Sequence, residues 1–310
     1  MIDWPSYNRS LVRRGVILFS YDFLDTWDPE LEVMNKNKMG KPFVFPNSFI
    51  LAIGYIRYSF HLPYRQTQGI INATGRSLHS KSPSYGQICK RINKLNVDIK
   101  GGGDKMADDD GGDEYLIISM DTTGIKITNR GQWMDKKWKV QNRKGYLKIH
   151  VAINIKTKEI LALEVTDEKV HDGRMLKKLV NHVLDGSTTT TRGPNKMVIK
   201  IKSALGDGAY DSNANFRYLQ EKGITPGIKI RKNSIVSPKN NRLRNKEVIQ
   251  QTKDLLKWKK KRKYGHRWIA ETAFSTIKRT FGEYVSATKF DNMVKEMMIK
   301  VSLYNLFRRI

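Results

Sequence analysis

The chain has a single cysteine, Cys89, among 310 residues. That excludes an intramolecular disulfide and a cysteine-based zinc site, and it suits a reducing compartment. Long apolar runs are missing as well. The most apolar stretch, Phe43 to Phe60, is interrupted by Pro46 and Arg57 and is too broken to span a bilayer, so no membrane partner is expected. The opening residues Met1-Ile2-Asp3-Trp4-Pro5 carry neither a basic n-region nor an apolar core, so no signal peptide is expected. No P-loop or GxGxxG occurs, so no nucleotide cofactor is indicated. Acidic residues are scarce: 30 Asp and Glu face 57 Lys and Arg, leaving a net charge of +27. Such an excess argues for a polyanionic partner, held by phosphate contacts and counterion release. A hydrophobic content of 39%, with six Trp and eleven Phe, argues for folded domains rather than a basic tail. The length leaves room for two domains.

Residues 1–100 read as mostly helical. Asn47 or Ser48, after Pro46, can open a helix running to Tyr58. Pro63 suits a helix N1 position, with Gly75 as the stop. Ser82 is the expected N-cap of a third helix, with Pro83 at N1. That helix sets Ile88, Ile92 and Leu95 inward and turns Gln87, Lys90, Arg91 and Lys94 outward. Two short helices, the second presenting amides and cations, suit a helix-turn-helix-like reader of DNA. Residues 101–114, rich in Gly and Asp with almost nothing apolar to bury, read as a linker.

From Tyr115 the period changes. Tyr115 to Asp121 is a continuously apolar run ending in a carboxylate, as a buried strand would be. Gly124–Thr128 and Tyr146–Ile153 alternate, with a basic loop, Trp133 to Arg143, between them. Leu161–Val165 is a further strand, followed by a helix from Arg174 to about Leu184 and a Thr-rich loop, Gly186 to Lys196. Lys200–Leu205 returns to strand and runs into Asp207-Gly208-Ala209-Tyr210-Asp211. A helix over about Ala214–Lys222 and a strand Thr225–Ile230 complete an α/β core with a mixed sheet. The segment 231–263 is heavily basic and reads as a phosphate-binding surface or a partly ordered insertion.

Two carboxylates thus stand at the ends of expected buried strands, Asp121 and Asp207. A third, Glu271, lies in Tyr264–Lys278. Read as one helix at about 100° per residue, that stretch puts Tyr264, Arg267, Glu271 and Lys278 on a single stripe about 60° wide. An ordinary Arg267–Glu271 surface pair would give part of the same pattern. Three carboxylates converging at strand ends would repel one another unless a divalent cation neutralised them, and hard oxygen donors suit Mg²⁺ or Mn²⁺. Two such ions support in-line phosphoryl displacement without a side-chain nucleophile. Asp211, Asp172 and Glu164 are competing carboxylates, Asp211 being the nearest rival to Asp207. His150, His171 and His266 lack zinc-ligand spacing and read as structural.

Tyr264-x2-Arg267-x3-Glu271-x6-Lys278 resembles, without a gap, the Y-x2-R-x3-E-x6-K signature of insertion-sequence DDE transposases. Met120-Asp121-Thr122-Thr123-Gly124 is similar to the family's first-Asp block, and Asp207-Gly208-Ala209-Tyr210-Asp211 to its second. Trp4-Pro5-x-Tyr7-Asn8 and Leu62-Pro63-Tyr64-Arg65-Gln66-Thr67 resemble its N-terminal half, closest to the insertion-sequence family numbered five. The resemblance implies an RNase H-like catalytic core over 115–310, with a basic insertion at 231–263. It implies Asp121, Asp207 and Glu271 as the catalytic triad holding two metal ions, with Arg267 and Lys278 on DNA phosphates and Tyr264 positioning DNA. It further implies binding to terminal inverted repeats, phosphodiester cleavage, 3′-hydroxyl strand transfer into target DNA, and a homodimer on double-stranded DNA in a prokaryotic cytoplasm, at the nucleoid. The alternatives are a catalytically inactive, repurposed DNA-binding protein, or a two-metal nuclease without strand transfer.

Overall fold

A computed structural model describes residues 3–75, 82–99, 115–127, 145–187 and 200–310. The 101–114 linker, the Trp133–Arg143 loop and positions 188–196 of the Thr-rich loop lie outside the described residues. The chain forms two compact units, one of residues 1–101 with 279–310 and one of residues 102–278.

The first unit is helical: α1 (Trp4–Leu18), α2 (Trp27–Asn35), α3 (Asn47–Ser59), α4 (Tyr64–Gly75) and α5 (Tyr85–Ile92) come from the N-terminal part. The expected helix after Pro46 is present, and its start is capped from a distance. The Glu30 carboxylate accepts the Asn47 and Ser48 backbone N–H groups, at 2.7 and 3.2 Å, which supplies the acceptors that orphan N-terminal amides require. The third helix begins later than expected. Ser84, not Ser82, is the N-cap, closing a reciprocal capping box with Gln87. Ile50, Ile53, Ile88 and Ile92 are fully buried in this unit's core. A small apolar cavity of about 50 Å³ among Phe19, Phe23, Trp27 and Phe49 belongs to the same aromatic packing.

The second unit is built on a sheet of order β3-β2-β1-β4-β5. Its strands are β1 (Tyr115–Ile127), β2 (Tyr146–Asn154), β3 (Ile160–Asp167), β4 (Lys200–Gly206) and β5 (Thr225–Ile228). β1, β2 and β3 pair antiparallel, while β4 and β5 run parallel to β1. This is a mixed α/β sheet, as the resemblance implied. α6 (Leu176–Ser187) and α7 (Asn213–Glu221) carry the chain from β3 to β4 and from β4 to β5. Leu176, Leu179, Val180, Phe216 and Leu219 bury against Ile118, Met120 and Ala204 of the sheet, as apolar positions three and four apart on a helix must.

Two elements differ from the sequence reading. The runs before and after Asp121 join into one thirteen-residue strand, because β2 continues to pair with β1 as far as Lys126. Tyr264–Lys278 is not one helix. Tyr264–Arg267 is a 3-10 turn, entered through Lys263 in left-handed backbone (φ 52°), and α10 (Trp268–Phe281) begins after it. The single-stripe geometry therefore does not extend to Tyr264, which is buried with its ring 5.0 Å from Trp258. The basic segment holds two ordered helices, α8 (Arg242–Lys253) and α9 (Leu255–Lys261). Buried Glu247 clamps them together, accepting from the indole N–H of Trp258 at 2.5 Å and from Arg262. A final helix, α11 (Phe290–Arg308), belongs to the first unit.

Candidate active site

The parallel pairing of β1 with β4 ends at Ser119 opposite Leu205. Two residues further along each chain come Asp121 and Asp207, at matching levels beyond that pairing. Asp121 is therefore at a strand end only toward β4; toward β2 it lies mid-strand, opposite Val151. Asp207 leaves β4 and N-caps a 3-10 turn, its carboxylate accepting the Ala209 N–H at 2.9 Å. Gly206 is required at that exit: a Cβ there would meet the buried Tyr210 ring at 2.9 Å. Such a closeness to side-chain atoms leaves room for no larger residue without movement.

Glu271 stands in the first turn of α10, with a well-exposed side chain. Arg267 links it to Asp121. One guanidinium nitrogen donates to Asp121 Oδ2 at 3.0 Å and another to Glu271 Oε1, and the Arg267 carbonyl accepts from Ser119 Oγ at 3.3 Å. Burial pushes the Asp121 carboxyl above the ordinary carboxylate range, and the charges of Asp207 and Glu271 push the same way. Together they outweigh the Thr122 N–H and the Arg267 guanidinium, which pull it down. Burial likewise raises the Tyr264 phenol, helped by the charges of Asp207 and Asp121. Tyr264, Arg267 and Asp207 line an open cavity of about 420 Å³ together with Lys229, Arg231 and Lys232.

The donor chemistry fits a hard divalent cation, since carboxylate oxygens on neighbouring strands face negative charge that one arginine leaves incompletely offset. The carboxylates are nevertheless joined through a guanidinium here. Among the described residues no three His, Cys, Asp or Glu side chains are gathered as metal ligands would be.

The rival carboxylates are engaged elsewhere. Asp172 pairs with Lys148 at 3.0 Å, and Glu164 lies 3.2 Å from His182. Asp211 accepts from Arg244, Ser234 and the Arg231 backbone. Burial acts to raise its pKa, but those hydrogen bonds hold it below the ordinary range. Of the expected DNA contacts, Lys90 and Lys94 are exposed. The Arg91 guanidinium instead bonds Asn47 Oδ1 at 2.8 Å and covers the Phe43 ring at 4.6 Å. Lys278 is half-buried on α10, about 10 Å along the axis from Glu271.

Two features escaped sequence reasoning. Asp211 and Arg244 lie 33 residues apart, and no spacing rule pairs them. His150, fully buried, bridges Thr122 Oγ1 at 2.8 Å and Thr166 Oγ1 at 2.9 Å across three strands. Alternation gave no signal for it: His150 shares its face of β2 with Lys148, and it is buried because both faces of the strand are covered from Ile149 onward, where a polar group requires partners. Burial lowers its pKa to about 4.

Among solved structures, a piggyBac transposase in a synaptic complex with hairpin DNA is 9% identical, covering 96% of this chain and 74% of that one at a TM-score of 0.42. The Drosophila P element transposase in a strand transfer complex is 11% identical, covering 91% and 69% at a TM-score of 0.30. At these scores neither bears on the role of any residue. Two family models, each described as a transposase DDE domain, match residues 112–306 and 12–130. The first takes in the whole sheet, Asp121, Asp207 and Glu271, and covers more than half of the chain, which therefore belongs to the DDE transposase family.

Proposed function

We propose that the protein is a DNA transposase. It binds the terminal inverted repeats of its element, hydrolyses phosphodiester bonds there, and joins the freed 3′-hydroxyl ends to target DNA. The observation that carries this reading is the placement of Asp121 and Asp207 at matching levels beyond the β1–β4 pairing, with Glu271 tied to Asp121 through Arg267. Asp121, Asp207 and Glu271 would hold Mg²⁺ or Mn²⁺, two ions in the full site. Ions held there would supply Lewis-acid activation of a water or 3′-hydroxyl and charge stabilisation at the leaving oxygen.

The chain's own groups do the rest. The partial burial of Asp121 strengthens the charge interactions that end on it, while Glu271 stays open to solvent. Arg267 and Lys278 hold DNA phosphates on the α10 side, Arg267 as a planar fork and Lys278 as a point charge. The Tyr264 ring, fixed against Trp258, positions DNA beside the cut. Residues 1–100 supply a helix-turn-helix-like reader through Lys90 and Lys94, with Arg91 held beside them by Asn47 and Phe43, and residues 101–114 link it to the catalytic domain. Two ends held together imply a homodimer on DNA, acting at the nucleoid.

One observation favours a second reading. With Arg267 between the carboxylates and no three-ligand cluster among the described residues, a non-catalytic DNA-binding protein would have the same arrangement. Incubating the protein and Mg²⁺ with a labelled duplex carrying the DNA that borders the gene decides between them. A transposase leaves a 3′-hydroxyl at the element end and joins a pre-nicked end to a second DNA. An uncut duplex rejects the catalytic reading, and cutting without joining restricts the protein to a nuclease.

A further inference from the structure

Asp211 closes the loop that Asp207 opens, and its side chain is fully enclosed. Four hydrogen bonds end on its carboxylate. Arg244 Nε reaches Oδ1 at 2.7 Å, while an Arg244 terminal nitrogen (3.1 Å), Ser234 Oγ (2.8 Å) and the Arg231 backbone N–H (3.1 Å) reach Oδ2. Arg244 also donates to Ser234 Oγ at 2.9 Å. The partners come from the segment just after β5 and from the first turn of α8, so one carboxylate ties three parts of the chain together. The same segment is fastened to the Asp207 loop twice more: Arg231 Nε donates to the Gly208 carbonyl at 2.9 Å, and the Lys229 N–H to the Gly206 carbonyl at 3.2 Å.

This fastening sets three exposed cations, Lys229, Arg231 and Lys232, on the cavity that Asp207 also lines. None of the three has an ion-pair partner among the described residues. Like charges this close repel and would swing apart into solvent if the backbone carrying them were free. A buried, charge-assisted network prevents that, since its geometry is fixed by several directional bonds at once. The positive edge it produces has the chemistry of a phosphodiester site.

We propose that Asp211 is a positioning residue: through Arg244, Ser234 and the Arg231 backbone it fixes Lys229, Arg231 and Lys232 beside Asp207, where they hold a backbone phosphate of the DNA being cut. This deepens the transposase reading and rests on it.

The test compares the full-length wild type with Asp211→Asn, Arg244→Gln, the double variant, and a triple variant with Lys229, Arg231 and Lys232 each changed to Gln. Two quantities are read on a duplex carrying the DNA that borders the gene: KM and kcat for cutting, and the slope of binding against salt. Asp211→Asn is expected to raise KM about tenfold, keep kcat within about threefold, and flatten the salt slope by about two. Arg244→Gln should do the same, and the double variant should be no worse than either single one, because both break one network. The triple variant leaves the buried Asp211 network intact and removes, besides the three charges, only the Arg231 Nε bond to the Gly208 carbonyl; it should reproduce the raised KM and flattened slope even if Asp211→Asn fails to fold. An unchanged KM and slope in the triple variant overturns the proposal, and so does a folded Asp211→Asn that loses kcat at unchanged KM. A wild type that binds the duplex but never cuts it sinks the transposase reading, while the salt slopes still decide this one.

Discussion

Two aspartate–arginine pairs, on either side of Asp207, make opposite uses of the same chemistry. Asp121–Arg267 is partly open to solvent, with side-chain exposures of 16% and 24%. Asp211–Arg244 is closed, at 0% and 12%. In the closed pair, burial is more than matched by hydrogen bonds, and the carboxyl sits below its ordinary range. In the open pair, burial and two further carboxylates win over the arginine, and the carboxyl sits above it. An enclosed, fully bonded carboxylate such as Asp211 has the surroundings of a structural group; Asp121, whose charge is incompletely offset and whose arginine lines an open cavity, has those of the ligand-binding group proposed above. Identity of residue type does not separate the two roles. The count of donors around each does.

The largest expected effect separates the pairs by function. Asp121→Asn, Asp207→Asn or Glu271→Gln should each lower end cutting by at least about a thousandfold, the scale of several kcal/mol of lost charge stabilisation, while binding of the end duplex is retained. Single-turnover cleavage checks this, and full cutting by any variant removes that residue from the catalytic set. Stability separates the pairs in the reverse sense. Asp211→Asn leaves Arg244 short of its counter-charge in a buried site and should cost about 3 kcal/mol, read from denaturant midpoints. Arg267→Gln breaks a more exposed pair and should change stability by less than about 1 kcal/mol.

Acid sharpens the comparison from a third position, the His150 bridge beside Asp121. Its folded-state pKa of about 4 lies below the ordinary 6.5, so the unfolded chain takes up the proton first. The stability this neutral histidine contributes is complete above about pH 6.5 and is lost as pH falls toward 4, by about 3 kcal/mol in all. Replacing His150 with Gln should flatten that part of the stability–pH curve relative to wild type; equal slopes would show that the bridge does not titrate. The smallest effect belongs to Lys278→Ala, which should weaken end binding modestly and reduce its salt slope by about one. An unchanged slope would leave Lys278 a plain surface charge.

Much of this was legible in the chain. Apolar alternation placed the strands, and the Tyr264–Lys278 spacing placed Arg267 within reach of Glu271, because i,i+4 proximity survives whether the preceding turn is helical or 3-10. The matching levels of Asp121 and Asp207 needed the β1–β4 register, which a sequence pattern does not contain. Tyr264 was placed on one helical stripe with Arg267, Glu271 and Lys278; the 3-10 turn that takes it off the stripe depends on a left-handed Lys263 and the packing of Trp258, which are tertiary facts. Asp211 looked like a rival ligand for Asp207 because both are carboxylates at one strand exit. Only the partners 20 to 33 residues later distinguish them, and pairings at that distance leave no periodic trace.

The contrast between the two pairs is tested most directly by Mn²⁺ binding to the protein on end duplex, followed by electron paramagnetic resonance. Wild type and Asp211→Asn are predicted to take up the ion, and Asp121→Asn and Asp207→Asn to lose it. Undiminished Mn²⁺ uptake by the Asp121 and Asp207 variants, or its loss in Asp211→Asn alone, would contradict the assignment of the open pair to chemistry and the closed pair to structure.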